Sequence, residues 1–190
     1  MADSAVAAGE RLRIAPTTPA KAALVGFWLE QSQERARCEA LLSPLAAGVH
    51  GYLVVESRPL VADAALRGAD GRVAGFHLCT GVRKRGDLGH ADFLRYWYDE
   101  QRACALETQA TFAYTRNEVV RALTTDAPDL SAIVEEGFPT AALDDPAEFY
   151  DAVGDPERLA RHVARMVATC RRFLDMESID SHPMSRYEFD

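Results

Sequence analysis

His77, Tyr114 and Gln101 are the side chains whose types and positions could do chemistry together. His77 lies in an apolar run, Val73 to Val82, where strand alternation puts Gly75, His77, Cys79 and Gly81 on one side and Phe76, Leu78, Thr80 and Val82 on the other. The second set is the natural helix-facing side, which turns His77 the other way, toward an interior. An imidazole that titrates near neutrality can act there as general acid or base, or it can simply be a hydrogen-bonded interior histidine. In the run Thr111 to Leu123, Phe112, Tyr114, Arg116 and Glu118 share a side, and Tyr114 can donate to a developing oxyanion. Arg116 and Glu118 either contact a ligand or form a structural ion pair. The Gln101 amide can orient a carbonyl or hydroxyl but cannot take a proton at ordinary pH. Trp28, Tyr96 and His182 complete the candidate binding residues. Tyr96 borders the helical face of Phe93, Trp97 and Cys104, which reads first as core. His182, held extended before Pro183, either faces the interior or is exposed near the chain end. No HxH, HxxxH or His-carboxylate spacing suggests a metal site.

The elements that must position these residues follow from periodicity and turn chemistry. Residues 1–20, with Pro16 and Pro19, read as a flexible arm. Strand-like Ala22 to Leu29, an amphipathic helix over Gln31 to Ala47 and a strand over Val49 to Leu60 make a first β-α-β unit, 21–72. A second unit, 73–190, begins with strand Val73 to Val82, helix Ala91 to Glu107 and strand Thr111 to Leu123. A third strand over Leu130 to Phe138 carries the acidic pair Glu135-Glu136. A short helix starts at Asp145-Pro146, a longer one at Asp155-Pro156 with a core-facing stripe from Leu159 to Phe173, and a last strand covers Ser178 to Phe189. Val25-Gly26-Phe27-Trp28-Leu29 matches Ala74-Gly75-Phe76-His77-Leu78, so the first unit reads as a decayed partial repeat of the second. The order β-α-β-β-α-β predicts an α+β fold of the ferredoxin-like type, with helices on one face of an antiparallel sheet.

Composition narrows the functional classes. A chain of 190 residues, 48% hydrophobic, can bury its own core. The net charge of -8 opposes phosphate backbones, and Arg83-Lys84-Arg85 is too short a run to reverse that, so nucleic acid is not an expected partner. No run of about 18 apolar residues and no signal-like N-terminus occurs, which predicts neither membrane span nor export. Four cysteines without CxxC spacing read as free thiols of a cytoplasmic protein.

Residues 73–190 resemble the EthD-like family of the dimeric α+β barrel superfamily. The resemblance rests on a strand ending in the basic turn Val82-Arg83-Lys84-Arg85-Gly86-Asp87-Leu88, on Asp92-Phe93 opening the helix, on Tyr96-Trp97, on Tyr114 with Asn117, and on Phe173-Leu174-Asp175. It implies a homodimer whose sheets pack face to face into a barrel, with helices outside and a small aromatic or polyketide-like molecule bound inside without cofactor. It also implies a lyase performing decarboxylation, dehydration or cyclisation. A cofactor-free monooxygenase acting on an electron-rich aromatic, or a non-catalytic binding protein, are the alternatives. Much of the family has His four residues after the helix Trp. Here that position is Gln101, so another residue must move any proton.

Overall fold

The structure is a computed structural model that describes residues 4–15 and 21–189. Five strands, β1 (Tyr52–Leu60), β2 (Phe76–Val82), β3 (Ala113–Ala122), β4 (Ala132–Phe138) and β5 (Asp180–Met184), form one sheet in the order β1-β3-β4-β2-β5. Every neighbouring pair is antiparallel. The helices are α1 (Arg35–Leu42), α2 (His90–Arg95), α3 (Arg102–Thr108), α4 (Pro146–Phe149) and α5 (Pro156–Phe173). The fold is therefore α+β. From β2 onward the chain runs β-α-β-β-α-β, and its first and third strands lie side by side at the sheet centre, an arrangement compatible with the ferredoxin-like split β-α-β plan.

Local sequence explains where the elements start and stop. Asp155 caps α5 by accepting from the Arg158 N–H at 2.8 Å, and Pro156 supplies a preset φ at the first helical position. The expected α5 stripe is met, with Met166 and Phe173 buried and Leu159, Val163 and Cys170 half-buried. Between α2 and α3 the helix widens into a π turn, Tyr96–Gln101. All four cysteines are free thiols.

One face of the sheet packs on the helices. Val82 and Ala132 meet Phe93, Trp97, Phe173 and Leu174 there, while Tyr114 meets Cys104, Ala105 and Met166. The strand register assigns the faces. Tyr114, Glu136, Leu78 and Pro183 are in line on the helix face, and Thr115, Glu135, Cys79 and His182 are in line on the second face.

The N-terminal quarter departs from expectation. Ala22 to Leu29 forms no strand. At the β5 edge Ile14 bridges Ser181, while the outer edge of β1 has no strand partner among the described residues. The segment instead runs as an extended strap from Lys21, paired with Asp180, to Trp28, under the Arg58 guanidinium of β1. Five strands at ~4.8 Å spacing make the sheet ~19 Å wide, and eight extended residues reach ~26 Å, so the strap can cross the second face. The expected helix over 31–47 is an α-helix only over Arg35–Leu42, flanked by 3-10 turns at Ser32–Glu34 and Ser43–Leu45, the latter containing Pro44. The first unit is thus a strap, a short helix and one strand that joins the sheet of the second.

The arm expected over 1–20 is docked over its described part, 4–15; residues 16–20 lie outside the described residues. Ser4–Leu12 is a 3-10 helix with Val6 buried. Gly9 lies so close to the body that a Cβ there would come within 2.6 Å of Leu143 and 3.2 Å of Pro183. Each outer strand contains a proline. Pro59 falls within β1 where the pairing to β3 shifts register between Ser57 and Leu60. Pro183 lies in β5 two residues from Ser181, whose backbone bonds outward to Ile14. Among the described residues no helix is long and apolar enough to cross a membrane.

Candidate active site

A cavity of about 320 Å³ lies between the helix face of the sheet and the helices. Its walls are largely apolar and aromatic, with Trp97 from the π turn, Phe149 and Tyr150 from α4 and its end, and Met166 and Phe173 from α5. Its floor is the sheet, where Leu78, Tyr114 and Glu136 stand side by side in register. The docked N-terminal segment closes one side with Arg11, Leu12 and Ile14.

Glu136 is the chemically distinctive group. Burial without a compensating charge raises its carboxyl from the usual 4.5 to about 7. Among the described residues no side chain or backbone N–H bonds to that carboxylate. Its neighbour Glu135 shows what a satisfied carboxylate looks like in the same strand. Turned to the second face, it accepts from Asn117 Nδ2 at 2.9 Å and pairs with Arg186 at 3.2 Å. Alternation forces this split, because consecutive strand residues point to opposite faces.

Tyr114 lies directly across from Glu136 and is almost fully buried. Its phenol is pushed well above its ordinary range, first by burial and then by the Glu136 charge, so it remains a hydrogen-bond donor at any working pH. Gln101 comes from the end of the π turn. Its Nε2 donates to Met166 Sδ at 3.1 Å, and its Oε1 accepts from Cys170 Sγ at 3.8 Å. The Cys170 thiol is pushed up to about 12, chiefly by burial and by the Glu136 charge, and so remains a neutral thiol. The site therefore combines one exchangeable carboxyl proton, the fixed phenol donor of Tyr114 across from it, a second phenol at Tyr150, and one amide tethered to two sulfurs.

Strand alternation aligned His77 and Tyr114 with one interior, and the structure separates them. His77 faces the opposite side of the sheet from Tyr114 and Gln101. It is 2% exposed, and neither ring nitrogen has a hydrogen-bond partner. Burial, helped by the Arg186 charge, lowers its pKa to about 3, so the ring is neutral. Phe112 packs edge-on against it at 5.8 Å, made possible by Gly137, where a Cβ would come within 2.6 Å of Phe112 and 2.9 Å of His77 Nε2. Phe112 precedes β3 and so escapes its alternation, which placed it with Tyr114.

The other candidates disperse. Arg116 is on the helix face but outside the cavity lining, stacked over Tyr98 at 4.1 Å and donating to Ser57 Oγ at 3.1 Å. It does not pair with Glu118, which instead accepts from Tyr98 Oη at 2.8 Å and meets His90 at 2.9 Å. Tyr96 sits outside, between the guanidinium groups of Arg95 and Arg172. Trp28 is 71% exposed on the strap. His182 is buried on the second face, donating from Nε2 to Asp180 Oδ1 at 2.5 Å while its Nδ1 meets Arg13 Nη1 at 2.9 Å. Because arginine only donates, Nδ1 is the acceptor and the ring is the neutral Nε2–H tautomer.

Of the expected catalytic set, Tyr114 and Gln101 line the cavity and His77 does not. Glu136, Tyr150, Cys170 and Arg11 were missed. The signal for Glu136 was the Glu135-Glu136 pair itself, since two consecutive carboxylates in a covered strand send one to each side. Among the described residues no group of three or more His, Cys, Asp or Glu side chains could hold a metal ion. Comparison with protein-family models, curated proteins and solved structures gave no match to this chain.

Proposed function

We propose that the protein is a cofactor-independent enzyme that transfers a proton on a small, largely apolar molecule held between sheet and helices, and that Glu136 is the general acid/base. The observation that carries this is a half-buried carboxyl with no hydrogen-bond partner among the described residues, raised to a pKa of about 7, on the floor of an apolar cavity and directly across from a phenol donor. A carboxyl tuned to neutrality is present in both forms at working pH, which is what proton transfer in both directions requires. Glu136 takes a proton from a carbon or hydroxyl of the substrate. Tyr114 donates a hydrogen bond to the oxygen on which negative charge develops. The neutral acid then returns the proton at a second position. Loss of carbon dioxide or water, or ring closure, fits this sequence, and the phenolic or β-keto character of the substrate follows from the oxyanion that Tyr114 would meet. The reading keeps the lyase expectation and moves the proton-transferring role from His77 to Glu136.

The strand order from β2 to β5 supports membership of the EthD-like dimeric α+β barrel group, and the exposed apolar strap supports a homodimer. Val25 and Trp28 are 52% and 71% exposed, more apolar surface in one short segment than a solvated strap needs. In this reading the second faces of two subunits meet through their straps, and each subunit keeps its own cavity.

The test is a survey of phenolic and β-keto acids in deuterated buffer, with and without oxygen, followed by product mass. Deuterium appearing in the product without oxygen uptake, and lost in Glu136→Gln, is the expected result. Equal turnover by Glu136→Gln would remove the carboxyl from the mechanism, and stoichiometric oxygen uptake would replace the lyase by an oxygenase.

A further inference from the structure

Among the described residues that line the cavity, Arg11 is the sole cation and Glu136 the sole carboxylate. The two belong to different walls. Glu136 rises from the sheet floor, whereas Arg11 hangs from the docked 3-10 helix Ser4–Leu12. Arg11 is exposed, and its one hydrogen bond is a long one, from Nη2 to the Ala142 carbonyl at 3.4 Å, so most of its five donors remain available. The segment that carries it is held in place independently of the guanidinium. Val6 is buried, Ile14 exchanges backbone bonds of 2.9 and 2.7 Å with Ser181, and Arg13 bonds to His182.

We infer that the cavity takes an amphiphilic anion, oriented with its carboxylate or sulfonate-like group against Arg11 at the N-terminal cap and its apolar, reacting end on the sheet floor beside Glu136 and Tyr114. The polarity of the walls sets this orientation. An anion placed on the floor would lie against a carboxyl that already lacks any compensating charge, and would repel its ionised form. The same anion at the cap meets a planar guanidinium suited to paired hydrogen bonds with two oxygens. Between the two ends the lining is mostly apolar and aromatic, with uncharged polar groups such as Gln101 and Gln109 interspersed, which fits the aromatic or alkyl body of the ligand. The inference deepens the proton-transfer reading by assigning the substrate a charged end remote from the reacting one, and it makes the N-terminal segment part of the binding site.

The experiment uses two dyes with the same ring system, anionic 8-anilinonaphthalene-1-sulfonate and neutral N-phenyl-1-naphthylamine, titrated into the full chain and into R11Q and E136Q. Trp28→Phe in each protein leaves Trp97, in the cavity wall, as the remaining tryptophan, so energy transfer to the dye reports binding. The expected result is that R11Q weakens the sulfonate dye by roughly tenfold, the scale of one charge-assisted hydrogen-bonded contact, and leaves the neutral dye unchanged. E136Q should retain the preference for the anion. If R11Q binds both dyes as the parent does, loses both equally, or if the parent shows no saturable binding of the sulfonate dye, the inference is overturned. Turnover plays no part in these readouts. A protein that discriminates the dyes through Arg11 but shows unchanged turnover on Glu136→Gln would retain the anion site and lose the proton-transfer reading.

Discussion

At the residue scale, burial shifts Glu136 and His77 toward their neutral forms, and the two make pH predictions of opposite sign. Glu136 keeps its proton up to about pH 7 in the folded protein, whereas an unfolded chain releases it near 4.5. The folded state therefore binds more protons between those values. The stabilisation from the neutral carboxyl is complete below pH 4.5 and is lost as pH rises through 7. Glu136→Gln should thus flatten the stability–pH profile from pH 5 to 8 and melt higher than the parent at pH 8; an unchanged slope in thermal melts would show that the carboxyl is hydrated and ordinary. His77 runs the other way. Its folded value near 3 lies below the unfolded 6.5, so its contribution is present above pH 6.5 and declines as pH falls toward 3. Because both ring nitrogens are orphaned, replacing the ring by an apolar group of similar size removes a desolvation cost. His77→Leu should match or exceed the parent in urea midpoint at pH 7 and exceed it more clearly at pH 4. A large loss at both pH values would mean that the imidazole has partners in solution. Tyr114 and Gln101 could be found from residue type and position, but partner availability could not. Nothing in the letters Glu135-Glu136 says that Asn117 and Arg186 wait on one side and nobody on the other.

At the element scale, the sequence was clearest where one periodicity dominated. The α5 stripe and the Asp155-Pro156 start are both local signals, and both are found. Asp155→Ala should cost about 1 kcal/mol, the usual worth of an N-cap side chain, read as a shift in denaturant midpoint with unchanged slope. No shift would mean that the cap is idle. Periodicity misled where anchoring contacts at the two ends of a segment decided the outcome. Ala22 to Leu29 has strand composition, yet Lys21 is tied to Asp180 of β5 and Trp28 lies under Arg58 of β1, so the segment is held across the strands rather than along one. The π turn at Tyr96–Gln101 was also invisible to a 3.6-residue pattern, although it is part of what puts Trp97 and Gln101 in one cavity wall. The docked N-terminal helix was hidden by its Ala-rich, weakly periodic letters. Its packing rests on single points such as Val6 and the bare Gly9. Gly9→Val should force Leu143 aside and undock the segment, making residues 4–15 the first site of limited proteolysis. Parent-like protection would show that the body gives way more easily than the contact distances imply.

At the scale of the whole molecule, the β-α-β-β-α-β order was legible because each connection is short and each strand is bounded by turn residues, whereas face assignment depended on which side the helices covered. The proposed homodimer predicts a particle of twice the 20.9 kDa chain mass by light scattering at micromolar concentration. Trp28→Lys on the strap should shift it toward the single-chain mass without altering the fold. A parent protein that remains at the single-chain mass at high concentration would remove the dimer. The two outer-strand prolines bear on which assemblies are open to this sheet. The nitrogen of Pro183 points the same way as that of Ser181, outward, and offers no N–H to an incoming chain, while Ile14 already occupies the position beside it. On the far side β1 is interrupted at Pro59, where its pairing to β3 shifts register. Growth by strand addition, the route by which sheets polymerise into fibrils, is thereby obstructed on both flanks. An exposed apolar strap can thus sit on a sheet whose flanks resist extension into open-ended ribbons.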